Sequence, residues 1–226
     1  MARQARVAPG GWIYHVSNRS AGRVKLFRNE NDFAAFDLLL QEAIERNPLR
    51  IFSYCVLKDR WHFVVHPAKD GDLTAFFRWL THTHTMRLRA SQHSEGDGPV
   101  YGGRFKSFPV QPGASLLKVC RYVERSPVTA KVPAGAEEYA WGSLWVRAHG
   151  TPEQKAILSP WSERRPADWV GRVNKIIDPK ESEAWGTCLA RSRPFGDEVW
   201  TTKTVRKFGL EHTVRRQGRP MKQVEG

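Results

Sequence analysis

The stretch that most constrains the fold is Leu49–Pro67, LRIFSYCVLKDRWHFVVHP. Two apolar, β-branched and aromatic runs are separated only by the polar triplet Lys58-Asp59-Arg60. The pattern predicts two strands joined by a tight turn, or one long strand carrying a bulge. Strand signals recur at Trp12–Asn18 (WIYHVSN) and at Phe105–Gln111 (FKSFPVQ), whereas RVKLF at 23–27 reads as a short partner strand or a loop. Between them lie helical patterns. Asn29 or Asn31 caps the first, which places Phe33, Phe36, Leu40 and Ile44 on one face. Asp70 or Asp72 opens the second at DLTAFFRWLTHTHTMRLRAS, and ASLLKVCRYVER is the third, predicted to stop at Pro127. The order β-α-β-β-α-β-α predicts an α+β fold, an antiparallel sheet with helices packed on it.

Beyond this unit, residues 150–192 are rich in Pro, Trp and charge with weak periodicity, and read as a linker with short helices. Residues 193–226 form a basic tail, with one compact helix opened by Asp197 and stopped by Gly209. A division into 1–149, 150–192 and 193–226 follows. Of 226 residues, 36 are Lys or Arg and 23 Asp or Glu, a net charge of +13. Counted over 1–149, 150–190 and 191–226 the charge is +8, zero and +5, so two basic blocks flank a neutral spacer, an arrangement suited to a polyanion touched at two places. Charge alone fits a ribosome-associated or membrane-surface protein equally well. No run approaches the roughly 18 apolar residues of a membrane span. The basic start MARQARVAPGGW lacks the apolar segment of a secretory signal. A cytoplasmic location is expected, with Cys55, Cys120 and Cys188 as reduced, buried thiols.

Three places carry candidate chemistry. On a strand, residues two apart share a face, so Arg60 and His62 project side by side in the spacing with which two imidazoles grip a divalent ion. Only one imidazole is present, and His66 lies roughly 13 Å further along the same face. The pattern is equally that of a core strand with one satisfied histidine. In VCRYVERSP, Tyr122 and Ser126 are one helical turn apart, and Arg121 and Arg125 flank the phenol. A phenol so placed attacks a phosphodiester once a metal polarises it, or else packs its ring. His82 and His84 diverge by about 200° on their helix and cannot share an ion. In YGGRFKSF, Arg104 and Lys106 interleave with Phe105 and Phe108, a pairing of cations and rings used on single-stranded nucleic acid and equally consistent with an alternating strand. Arg215, Arg216 and Arg219 around Gly218-Arg219-Pro220 suit a narrow minor groove, although a solvated tail has the same composition.

The ordered set YHVSNR, DFAAFDLLLQEA, YCVLKDRWHFVVHP, GDLTAFFRWLTHTHTMR, VYGGRFKSFPVQ and CRYVERSPV, followed by RPFGDEVWTTKTVRKFGLEHTVRRQGRP, resembles the REP-associated tyrosine transposases. These are relatives of the insertion-sequence transposases with an HUH metal motif and a single tyrosine. The resemblance implies a ferredoxin-like or RRM-like domain acting on single-stranded or hairpin DNA, as a monomer or homodimer. It also implies Mg²⁺ or Mn²⁺ held by the HUH histidines, and cleavage leaving a 5′-phosphotyrosine. The second HUH histidine falls on His62, the hydrophobic centre on Trp61 and the nucleophile on Tyr122. Two positions depart from the pattern. The first histidine is Arg60, which has no lone pair to offer a cation, and the asparagine after the tyrosine is Ser126. The resemblance therefore implies either a tyrosine transposase or a descendant without metal-dependent chemistry that still binds DNA, with Arg60 on the phosphate.

Overall fold

The structure is a computed structural model; it describes residues 7–22, 24–92, 98–132 and 134–215. Four strands, β1 (Ile13–Arg19), β2 (Arg50–Leu57), β3 (Arg60–His66) and β4 (Lys106–Val110), form one antiparallel sheet in the order β2-β3-β1-β4. Of the two alternatives for residues 49–67, two strands joined by a turn is the one formed. The chain turns at Lys58-Asp59 into a hairpin, and β2 carries a register shift between Ile51 and Ser53. Residues 24–27 are loop, with Leu26 and Phe27 fully buried, and Arg23 lies outside the described residues.

Alternation along the strands builds two cores. On one face, Tyr14, Val16, Trp61, Phe63 and Val65 meet α1 (Glu30–Arg46) and α2 (Asp72–Gln92). Asn29 caps α1 by accepting from the Asp32 backbone N–H, and Phe33, Phe36 and Leu40 are buried as their spacing requires. Asp72 is the first residue of α2, whereas Asp70 accepts from the Gly10 N–H and ties down the entry to β1. On the other face, Ile13, Val64, Phe108 and Val110 meet α3 (Ala114–Thr129).

The helix α3 runs through Pro127 instead of stopping there. The ring sits in the last turn, where it removes one i−4 hydrogen bond, and its burial offsets that loss. Two residues from Tyr122, the carboxylate of Glu124 is 2% exposed. It accepts from Ser143 Oγ at 2.6 Å, Trp169 Nε1 at 2.6 Å and Ser53 Oγ at 3.4 Å. This buried acceptor fixes the rotation of α3 and hence the face on which Tyr122 lies.

The region expected to be a linker is part of the second core. After α4 (Ser143–His149) and α5 (Pro152–Ala156), the chain pairs Leu158 with Ile51 at the outer edge of β2. Next come α6 (Trp169–Asn174) and α7 (Pro179–Arg191), the latter 13 residues long and capped by Asp178, and then Phe195 pairs with Val110 on β4. Both sheet edges are thereby covered. Anchoring rests on a few aromatic residues, Trp161, Trp169 and Trp185, rather than on a continuous apolar stripe, which explains the weak periodicity. As expected, Asp197 caps α8 (Glu198–Phe208) and Gly209 ends it with φ 62°; the short α9 (Glu211–Val214) follows.

One buried chain of hydrogen bonds positions the loop that precedes β4. Trp61 Nε1 can only donate, so Tyr101 Oη accepts from it at 3.1 Å and gives its own proton to His84 Nδ1 at 2.7 Å. His84 therefore carries its proton on Nε2, and burial holds its pKa down at about 4. Replacing Tyr101 by Phe leaves a buried donor and a buried acceptor without partners. We expect a loss of about 2 kcal/mol in denaturant unfolding with an unchanged m-value.

Candidate functional site

Strand register assembles the site. The residues of β3 that face α3 are Arg60, His62 and Val64, and β1 sets Arg19, Ser17 and His15 opposite them. On the far side of β1, Lys106 stands opposite Ser17 and Phe108 opposite His15. The Gly102 N–H donates to the Arg19 carbonyl, so the loop bearing Arg104 runs beside Arg19. Apolar residues occupy the inner rows of this face, and its outer end is basic. A cleft of about 450 Å³ opens there, lined by Arg19, Arg60, His62, Arg104 and Lys106 on the sheet side. Gly186, Leu189 and Ala190 of α7 close its other wall.

His62 has a partner that the sequence did not reveal. Its Nδ1 lies 3.1 Å from Nε2 of His15, a fully buried residue stacked on Phe108. Burial, then the Arg60 guanidinium, lower the His62 pKa to about 4, and burial, then the nearness of His62, holds His15 well below the ordinary imidazole value. Both imidazoles are therefore neutral, and one donates to the other. Asp59 holds Arg60 in a fork, with Nε to Oδ1 at 2.9 Å and Nη2 to Oδ2 at 2.7 Å, and both side chains are about half exposed.

Tyr122 faces the same layer but is covered. Its ring stacks on Trp185 of α7 with centroids 4.6 Å apart and planes 3° apart. Trp185 in turn sets its edge against His15 at 4.9 Å, so the indole stands between the phenol and the histidine pair. The phenol oxygen is buried without a hydrogen-bond partner. Burial, helped by the Glu181 carboxylate, holds its pKa above the ordinary tyrosine value. In this arrangement it is neither ionised nor in contact with solvent.

Other candidates are engaged within the chain. Ser126 Oγ donates to the Tyr122 carbonyl at 3.0 Å. The Arg121 guanidinium donates to the carbonyls of Arg172, Lys175 and Ile176, and Arg125 to those of Val173 and Asn174, so both pin the end of α6. Lys106 Nζ reaches the Ala190 carbonyl at 3.1 Å. Arg215 is exposed after α9, whereas Arg216 and Arg219 lie outside the described residues.

The donor set does not fit a divalent cation. His62 brings one imidazole to the cleft and its Nδ1 is engaged with the buried His15, its neighbour on the strand is a guanidinium, and the helix serine is spent on its own backbone. Among the described residues no group of three or more His, Cys, Asp or Glu side chains is placed to hold a metal ion. Spacing predicted the contiguity of Arg60 and His62, but not the roles of His15, Arg19 and Trp185. The signal for His15 and Arg19 was their alternation on β1, unusable without the β1–β3 register. For Trp185 there was none beyond its aromatic character.

Folded His62 binds a proton less readily than the unfolded imidazole. Its contribution to stability is therefore present above pH 6.5, the unperturbed value, and is lost as the pH falls toward about 4. We expect its NMR titration to show a neutral ring until the pH nears about 4 and a higher midpoint in Arg60→Gln. A wild-type midpoint near 6.5 would contradict the buried pair. Trp185→Ala should lower the Tyr122 phenol pKa, read as the difference between ultraviolet titrations with and without an added Tyr122→Phe change.

The family model described as "Transposase IS200 like" matches residues 11–126, from the entry to β1 through Ser126. The chain also superposes on the solved structure of a REP-associated tyrosine transposase bound to a REP hairpin, with a TM-score of 0.54 and 14% identity. That match covers 79% of this chain and 100% of the other. No curated protein is significantly similar to it. The sheet order, the helix carrying Tyr122 and the strand carrying His62 fall within the matched half of the sequence, and the chain belongs to the IS200-like transposase family.

Proposed function

We propose that this protein is a REP-associated type of transposase relative that binds single-stranded or hairpin DNA and has lost metal-dependent strand cleavage. The observation that carries this reading is the guanidinium at position 60, where the family pattern has a metal-binding imidazole. It sits on the strand beside His62 at the basic end of the sheet. Membership of a transposase family and the likeness to a hairpin-bound fold support the choice of DNA as partner. A location in the cytoplasm, on the nucleoid when bound to DNA, fits this role.

A second reading keeps the chemistry, with Tyr122 attacking a phosphodiester to leave a 5′-phosphotyrosine, aided by Mg²⁺ or Mn²⁺. One observation favours it. Tyr122 lies on the face of α3 that turns toward the His15–His62 pair, separated from it by a single indole. Against it stands the donor set, because the side chains around His62 do not supply the ligands that a divalent ion requires.

A panel of hairpin oligonucleotides incubated with Mn²⁺ or EDTA separates the two readings. We expect hairpin retention in both buffers and no covalent protein–DNA adduct. An adduct that requires Mn²⁺ and vanishes in Tyr122→Phe would establish the second reading instead. The combined change Arg60→His with Ser126→Asn should return Mn²⁺-dependent nicking. If that variant binds no metal and leaves the hairpin intact, the account of a disabled site fails.

A further inference from the structure

The basic end of the sheet is unusual for a structural surface. Arg19 and Arg60 are direct cross-strand partners, and like charges so placed repel and cost stability. One row further in, Lys106 stands on the other side of β1 from His62. Arg104 enters from the adjoining loop, and the wall supplied by α7 offers Gly186, Leu189 and Ala190 and no side-chain charge. Asp59 pairs with Arg60. Arg19 has no carboxylate partner among the described residues. Four cations thus surround a cleft of about 450 Å³ that holds one neutral imidazole.

We infer that this cleft is an anion site that binds a phosphate group of a DNA strand directly, with Arg19 and Arg60 gripping its oxygens from adjacent strands. The inference rests on the DNA-binding reading for the source of the phosphate, but the site itself is independent of it. A phosphate between the two guanidinium groups converts their repulsion into two charge-assisted contacts. The Asp59–Arg60 pair is no obstacle. Half-exposed ion pairs are weak, and the guanidinium has further N–H donors beyond the two that Asp59 takes. Lys106 can exchange the Ala190 carbonyl, a neutral acceptor, for a charged one. Where a metal would bridge protein and phosphate, the protein's own positive charge takes over the ground-state attraction and needs no divalent ion.

The test uses the full-length protein in EDTA, titrated with inorganic phosphate at constant ionic strength. Thermal midpoint and the His62 imidazole resonance are the readouts. We expect a saturable rise in midpoint and a shifted resonance. Arg19→Gln and Arg60→Gln should each weaken the apparent affinity about tenfold, and together abolish it. Asp59→Asn, which releases Arg60, should strengthen it. All three side chains are polar and lie at the solvent-facing end of the sheet, so the unliganded midpoints report folding separately.

Hairpin oligonucleotides bearing a 5′-phosphate, a 3′-phosphate or neither then locate the source. Tighter binding with one terminal phosphate identifies a strand end, and equal binding of all three identifies an internal phosphodiester. In either case the slope of log affinity against log salt should fall by about one for each arginine removed. No phosphate response in the wild type, or an undiminished response in the double variant, overturns the anion site while leaving hairpin retention to stand or fall separately. A phosphate response without hairpin retention keeps the site and removes DNA as its ligand.

Discussion

The arrangement depends on the pairing of β1 between β3 and β4. This central strand sets Ser17 against both His62 and Lys106, His15 against Val64 and Phe108, and Arg19 against Arg60. A slip of one residue would turn His15 and Arg19 into the core under α1 and α2, and carry Tyr14 and Val16, both fully buried in that core, to the face under α3. The apolar alternation that stabilises the sheet therefore also delivers every sheet-borne residue of the site. Glu124 performs the matching task for α3, because its three hydrogen bonds hold the helix in one rotation against β2, α4 and α6.

Much of this was legible in the sequence, for reasons that can be named. Strands rich in β-branched and aromatic residues, helices with Asn29 or Asp197 at their caps, and the turn at Lys58-Asp59 are local signals, and the structure follows them. The contiguity of Arg60 and His62 is likewise local, since a strand has a period of two. Pro127 misled because a proline near the end of a helix removes little and its ring finds a buried place. Residues 150–192 misled because three tryptophans, not a repeating pattern, fasten them to the sheet. The contacts of His15 with His62 and of Trp185 with Tyr122 join elements distant in sequence, and no local pattern encodes them.

Electrostatics and packing divide the face under α3 into two regimes. Toward the middle, His15 and His62 are kept neutral by loss of water, and Phe108, Trp185 and Tyr122 stack around them. At the rim, Arg19, Arg60, Arg104 and Lys106 line one cleft. The helix α7 spans both. Arg121 and Glu181 lie 3.9 Å apart near its start, Trp185 fills the layer at its middle, and Lys106 holds its last turn. Access to the phenol and access to the basic cleft are thus linked through one rigid element.

The position of Arg60 has a bearing on how this family can change. Its side chain is half exposed, belongs to neither apolar cluster and, among the described residues, is hydrogen-bonded by its sequence neighbour Asp59. Trp61, next to it, is fully buried and locked to Tyr101. Adjacent residues on β3 therefore face different selective constraints. One is fixed by the core, and the other is free to exchange chemistry at almost no thermodynamic penalty. A side chain at such a rim position can be replaced without disturbing the core, so the charge displayed there can change while the scaffold that displays it stays the same.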